Sequence, residues 1–273
     1  MDARRRAALA AMLTIAVAPL AAHDFWIEPS SFRPEAGSVV GIGLRVGQNF
    51  VGDPVRRTSE FIEQFVVKEA ERATPVAGAE GSDPAGFLIY DGRETALVAY
   101  HSAPAFIEMP PAKFEEYLRL EGLEAVVSAR RAGGKSAKPG LEYFSRYAKA
   151  LLTGTSTSAA VTRPIGFELE IVPDADPTVR AGRFSGVVLY RGAPLAGALV
   201  VAMPRSNPAE RSTVRTDARG AFTFSTLHPG VWLIKSMHMV AAGWFSRADW
   251  LSAWASLTFE VPGGGVATGV KGS

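Results

Sequence analysis

Residues 182–240 read GRFSGVVLYRGAPLAGALVVAMPRSNPAERSTVRTDARGAFTFSTLHPGVWLIKSMHMV, and the punctuation of this run decides the fold class. Short apolar stretches at 184–190, 197–203, 211–216, 221–226 and 231–240 alternate with turn chemistry. The turns are Arg191-Gly192, Asp217-Ala218-Arg219-Gly220 and Leu227-His228-Pro229-Gly230. In the second of these, Asp opens the turn and Gly supplies the positive φ it needs. Strands at this spacing predict a small antiparallel β-sandwich over 178–262.

Working upstream, Pro173 to Pro177 reads as a junction, and Pro164-Ile165-Gly166-Phe167-Glu168-Leu169-Glu170-Ile171-Val172-Pro173 alternates apolar and polar residues as a half-buried strand does. The same period runs through 38–46, and apolar runs at 63–69, 86–90 and 94–101 are further strands. A Gly-, Pro- and Ala-rich loop fills 73–86. Residues 23–173 are therefore expected to form an N-terminal antiparallel β domain, interrupted by a helical insertion over about 112–153. Within it, Phe114, Tyr117, Leu118 and Leu120 give one helix with Gly122 as a weak point. Tyr143, Tyr147 and Leu151 predict a second helix from Leu141 to Leu152, stopping before Gly154. The whole chain is thus expected to be mainly β: an N-terminal antiparallel β domain with a helical insertion, then a small β-sandwich.

The N-terminus carries Arg4-Arg5-Arg6, an apolar stretch from Ala7 to about Val17, and small residues ending at Ala21-Ala22. This is the pattern of a secretory signal peptide over 1–22; it is shorter than the roughly 20 apolar residues of a spanning helix. Cleavage after Ala22 predicts export to the periplasm, no membrane span in the processed chain, and a new N-terminus at His23. The Gly-rich end, 263–273, is expected to be a disordered tail.

Composition narrows the function. Loss of the leader removes three arginines and Asp2, which leaves basic and acidic side chains in equal number, so nothing in the overall charge points to nucleic acid or an acidic membrane surface. With no cysteine, disulfides, thiolate metal sites and a cysteine nucleophile are excluded. The chain has no G-x-S-x-G, H-E-x-x-H, P-loop or dinucleotide fingerprint, so we expect no enzyme and no catalytic residues.

Several motifs together carry a family resemblance over nearly the whole processed chain. His23-Asp24-Phe25-Trp26-Ile27-Glu28-Pro29, Leu44-Arg45-Val46-Gly47, the 114–123 helix and Glu142-Tyr143-Phe144-Ser145-Arg146-Tyr147-Ala148-Lys149 resemble the periplasmic family once labelled as the NikM subunit of nickel transport. So do Gly192 to Ala198, Thr216 to Gly220 and Pro229 to Leu233. The resemblance implies an association with nickel or cobalt uptake and a membrane transporter component as partner. The C-terminal part also resembles the prealbumin-like regulatory modules of carboxypeptidases, which are sandwiches without catalytic residues.

Four histidines, His23, His101, His228 and His238, contain every imidazole the protein can offer a metal. His23 leads, because cleavage would add a free α-amino group that chelates together with Nδ1 of the same residue; imidazole suits Ni, Co, Cu and Zn. An α-amino group titrates near ~7.7–8.0, so such binding weakens as pH falls. Asp24 is a candidate oxygen ligand beside it. His101 ends an apolar strand and His238 lies in a strand with Met237 and Met239, so either is a candidate second ligand; His228 reads as a turn residue. The leading expectation is a metal-uptake accessory for a divalent transition metal, nickel or cobalt, with copper handling as an alternative. The other alternative is a non-catalytic adaptor that binds a protein or glycan through the helical insertion or through Trp244, Phe245, Trp250 and Trp254.

Overall fold

A computed structural model describes residues 23–69 and 72–263. The expected signal peptide lies outside the described residues, and the expected tail lies outside them except for Gly263. The chain is mainly β, with seventeen strands and three α-helices among the described residues.

A nine-stranded sheet runs through the middle of the molecule. Its strands are β4 (Ile62–Glu69), β5 (Arg72–Pro75), β7 (Ala96–Ser102), β8 (Ala105–Met109), β9 (Gly140–Leu152), β13 (Leu199–Pro204), β14 (Ser212–Arg215), β16 (Gly230–Ala241) and β17 (Trp250–Val261). The order is β14-β13-β16-β17-β9-β7-β4-β5, with β8 continuing β7 along the same edge of β9. Strands from both sides of the Pro173–Pro177 junction enter this sheet. They meet where β17 pairs in parallel with β9, Trp250 opposite Glu142 through Thr258 opposite Ala150.

Each face of the sheet is covered. On one face lies a four-stranded sheet of β10 (Leu169–Pro173), β11 (Gly182–Tyr190), β12 (Ala193–Pro194) and β15 (Ala221–Leu227). Its Phe184, Phe222 and Phe224 pack with Leu97, Leu151, Ile234 and Phe259 in one core. On the other lies a second four-stranded sheet of β1 (Asp24–Pro29), β2 (Val39–Gln48), β3 (Val51–Val55) and β6 (Gly86–Ile89), whose Phe25, Ile27, Ile42 and Leu44 pack on Val98, Tyr100 and Ala150. Beside this second layer, on the same face, α1 (Pro111–Leu120) and α2 (Glu124–Ala132) place Phe114, Tyr117, Leu118 and Val126 on Met237, Met239, Trp250 and Trp254. The remaining helix, α3 (Ala159–Thr162), is a single turn.

The helical insertion is shorter than expected. Gly122, at φ 69°, separates α1 from α2. The expected helix from Leu141 to Leu152, however, is strand β9. Its Tyr147 and Leu151 face one core and its Ala148, Ala150 and Leu152 the other. A central strand buried on both sides loses the polar alternation that marks a half-buried one, and residues four apart share a face in a strand as well as in a helix. Trp250 and Trp254, expected as contact residues of an adaptor, lie in β17 and are buried.

Candidate functional site

The start of β1 lies over β16, and the contact is an ion pair. Lys235 Nζ donates to Asp24 Oδ1 at 2.5 Å and to Glu121 Oε1 and Oε2 at 2.9 and 3.1 Å. Glu121 caps the C-terminus of α1, just before the Gly122 break. Burial would lower the Lys235 ammonium, but the two carboxylates outweigh it and hold it well above an ordinary lysine. Burial raises the Glu121 carboxyl, with Lys235 pulling the other way. Arg146, on β9, is close enough to feel Asp24 as well; its guanidinium lies over Phe25 at 4.9 Å, and burial brings it down to about 10. An arginine at that value stays charged at neutral pH.

Above this cluster opens a cavity of about 520 Å³. Its walls come from five places in the chain: His23 just ahead of β1 with Asp24 at its start, Gln48 and Asn49 at the β2–β3 turn, Met109, Tyr117 and Glu121 around α1, Val201 and Met203 on β13, and Lys235 on β16. The turn is built for its position. Asn49 and Phe50 both take positive φ, 53° and 56°, as a two-residue hairpin that follows strand twist requires. A phenylalanine is strained there; it is held by its edge-on contact with Trp26, ring centroids 5.3 Å apart.

Behind Tyr117 the polar chain goes deeper. The Tyr117 hydroxyl donates to Glu142 Oε1 at 3.0 Å, and the Ser252 hydroxyl donates to the same oxygen. Glu142 Oε2 has no partner. Burial raises this carboxyl to about 7, against the hydrogen bonds of Ser252, Tyr117 and Trp254.

The four expected ligands divide between two places. His23 and Asp24 line the cavity together, on the face that carries Leu233, Lys235 and Met237. Asp24 is 7 % exposed and bonded to Lys235, so it is not an outward-facing ligand. His101 and His238 lie on the opposite face: His101 shares its side of β7 with Leu97 and Ala99, and His238 its side of β16 with Trp232 and Ile234. The expectation that either one completes a His23 centre is therefore corrected, because the nine-stranded sheet stands between them.

On that opposite face the two histidines flank one carboxylate. His101 stacks on Tyr147 at 4.4 Å and His238 meets Tyr190 edge-on at 4.5 Å. Both tyrosine hydroxyls donate to Glu168, at 3.0 and 3.3 Å, and Arg191 Nε donates at 2.8 Å. Burial raises the Glu168 carboxyl, but the hydrogen bonds of Arg191 and the tyrosines outweigh it and leave the group below its ordinary range. Burial lowers both imidazoles, against the pull of Glu168. His238 and His101 are nonetheless three strands apart, through Ala253 and Ser145 to the Tyr147 that pairs with His101. At about 4.8 Å per strand, that is about 14 Å, too far to share an ion. Among the described residues no three His, Asp or Glu side chains gather closely enough to hold a metal.

Lys235 and Glu121 were missed in the sequence. Lys235 did carry a signal: it is the one charge on the strand face that also holds Val231, Leu233, Met237 and Met239. Glu121 carried none, since its partner is distant in the chain.

A family model describing a domain of unknown function, DUF4198, matches residues 20–240. The chain belongs to the DUF4198 family. The match runs from the expected cleavage site to the penultimate strand of the nine-stranded sheet, so it contains the cavity and all four histidines. No curated protein matches the chain. A solved structure, the D0-D1 domain of Intimin, is similar at 12 % identity, covering 87 % of this chain and 98 % of that one with a TM-score of 0.20. At that score the likeness carries no argument about DUF4198 proteins.

Proposed function

We propose that this DUF4198 protein is a periplasmic accessory for uptake of a divalent transition metal, nickel or cobalt, delivered to a membrane transporter component. The ion is cargo, held by the α-amino group and Nδ1 of His23 after removal of the leader. One observation carries the reading: His23 sits at the wall of the cavity, and the residue next to it is anchored through a buried ion pair. A free amine at this position is presented from a fixed strand rather than from a loose end, so less chain entropy is lost when it chelates. The motif resemblance to the nickel-transport family supports the choice of metal.

Copper is the second reading, and Met109 and Met203 favour it. Both line the same cavity as His23, and thioethers are soft donors suited to Cu(I). Equilibrium dialysis of the chain beginning at His23, against Ni, Co, Cu(II) and Cu(I) separately, tests both readings. Nickel or cobalt retention that falls in His23→Ala and is unchanged in Met109→Leu supports the first. Cu(I) retention that falls in Met109→Leu or Met203→Leu supports the second. No retention of any metal contradicts both.

A further inference from the structure

The turn between β16 and β17 exposes two aromatic side chains completely: Trp244 is 101 % and Phe245 106 % exposed. They occupy the middle of a tight turn closed by Ser246 N–H donating to Gly243 O at 2.9 Å. Behind the turn an apolar row crosses four strands in register: Val240 opposite Leu251, Leu251 opposite Tyr143, and Tyr143 opposite Phe106. All four are partly open to solvent. The row belongs to the face covered by the β10–β12 and β15 layer, but that layer's contact with β16 at this end is Tyr190 on His238, one pair short of the row.

Cations rim this patch. Arg247 lies over Phe106 at 4.0 Å. Lys135 Nζ reaches Asp249 Oδ1 at 2.6 Å, which places the end of α2 and the α2–β9 connection, with exposed Arg131 and Lys138, against the base of the turn. Buried Arg130 fixes that connection by donating to the carbonyls of Lys135 and Lys138, both at 2.8 Å. The acids at this end are Asp249, already paired, and Glu108 on β8. Two projecting aromatics, an apolar strip behind them and a net positive rim match the layered chemistry of an anionic bilayer surface, where aromatic rings settle at headgroup depth and Lys and Arg meet lipid phosphate. We propose that Trp244 and Phe245 anchor the protein on an anionic membrane surface, turn first, with Arg247, Arg131 and Lys138 on the headgroups.

Tryptophan emission reports directly on this. Of the five tryptophans, Trp26, Trp232, Trp250 and Trp254 are buried, so the solvent-exposed component of the spectrum belongs to Trp244. The chain beginning at His23, which carries every described element, is mixed with phosphatidylglycerol vesicles and, separately, with phosphatidylcholine vesicles, then floated on a density gradient. The expected result is co-flotation with phosphatidylglycerol, a blue shift of emission, and a loss of partition of about tenfold or more in W244S/F245S. Because both side chains are fully exposed, the double variant should keep its melting temperature, which separates lost docking from lost folding. No flotation, equal flotation of the double variant, or a phosphatidylcholine preference would overturn the proposal. So would a dimer in sedimentation without vesicles that the same substitutions dissolve, since the patch would then belong to a second copy.

Discussion

Glu142 shows how one residue ties the protein's stability to pH. Its carboxyl, raised by burial from 4.5 to about 7, is a group that the folded state prefers protonated. Its contribution is therefore fully present below about pH 4.5 and is lost as pH rises through about 7. The shift corresponds to about 3 kcal/mol over that window. Glu142→Gln should flatten this part of the stability profile, so that urea midpoints measured from pH 5 to pH 8 fall in the native protein and much less in the variant. An unchanged slope would show that the carboxylate is solvated when ionised. At this scale the sequence was partly legible. His23 and Asp24 stood out as a pair and do share a cavity wall, whereas the service of Asp24 to Lys235 depends on a contact between residues 211 positions apart.

Strands and helices were legible where one side meets solvent or a turn interrupts the chain. The turns at 191–192 and 217–220 and the break at Gly122 were placed correctly, because each rests on local backbone chemistry. Strand β9 was misread as a helix because both its faces are buried and its neighbours, β7 before it and β17 about a hundred residues after it, are distant in the sequence. Its first residue also shows how the helices attach. A Cβ on Gly140 would lie 2.2 Å from the Phe114 ring, so glycine is what lets α1 pack down on the sheet. Gly140→Ala should lift α1 and destabilise the fold by about 1–3 kcal/mol, as overpacking does. Faster amide exchange confined to 111–132 would locate the damage there; a uniform loss of protection would contradict the assignment.

At the scale of the whole molecule, the central sheet is fixed to its covering layers by buried charge as well as by apolar packing. Lys149 on β9 reaches Glu170 on β10 at 2.6 Å and the Ile171 carbonyl at 2.9 Å, with both side chains almost inaccessible. Glu170 also accepts from the backbone N–H groups of Ile165, Gly166 and Phe167. Lys149→Met would leave that carboxylate without its cation and should cost about 3–5 kcal/mol, with part recovered in K149M/E170Q, as thermal unfolding would show. Recovery is the informative outcome, because loss of packing alone would make the double variant no better than the single one. The mainly β character could be read from the sequence; the sheet that joins both halves could not, since strand order is set by long-range pairing.

A metal site at the N-terminus stands or falls with the free amine of His23. Nickel, cobalt, copper and zinc are titrated calorimetrically into the chain beginning at His23 and into the same chain with Ala22 retained. The two differ in a single residue, which moves the free amine off the histidine and leaves every described element in place. The expected result is tight binding of nickel or cobalt to the first chain, weakening as pH falls, and its loss in the second. Equal affinity in both chains, or none in either, would contradict a metal site built on His23.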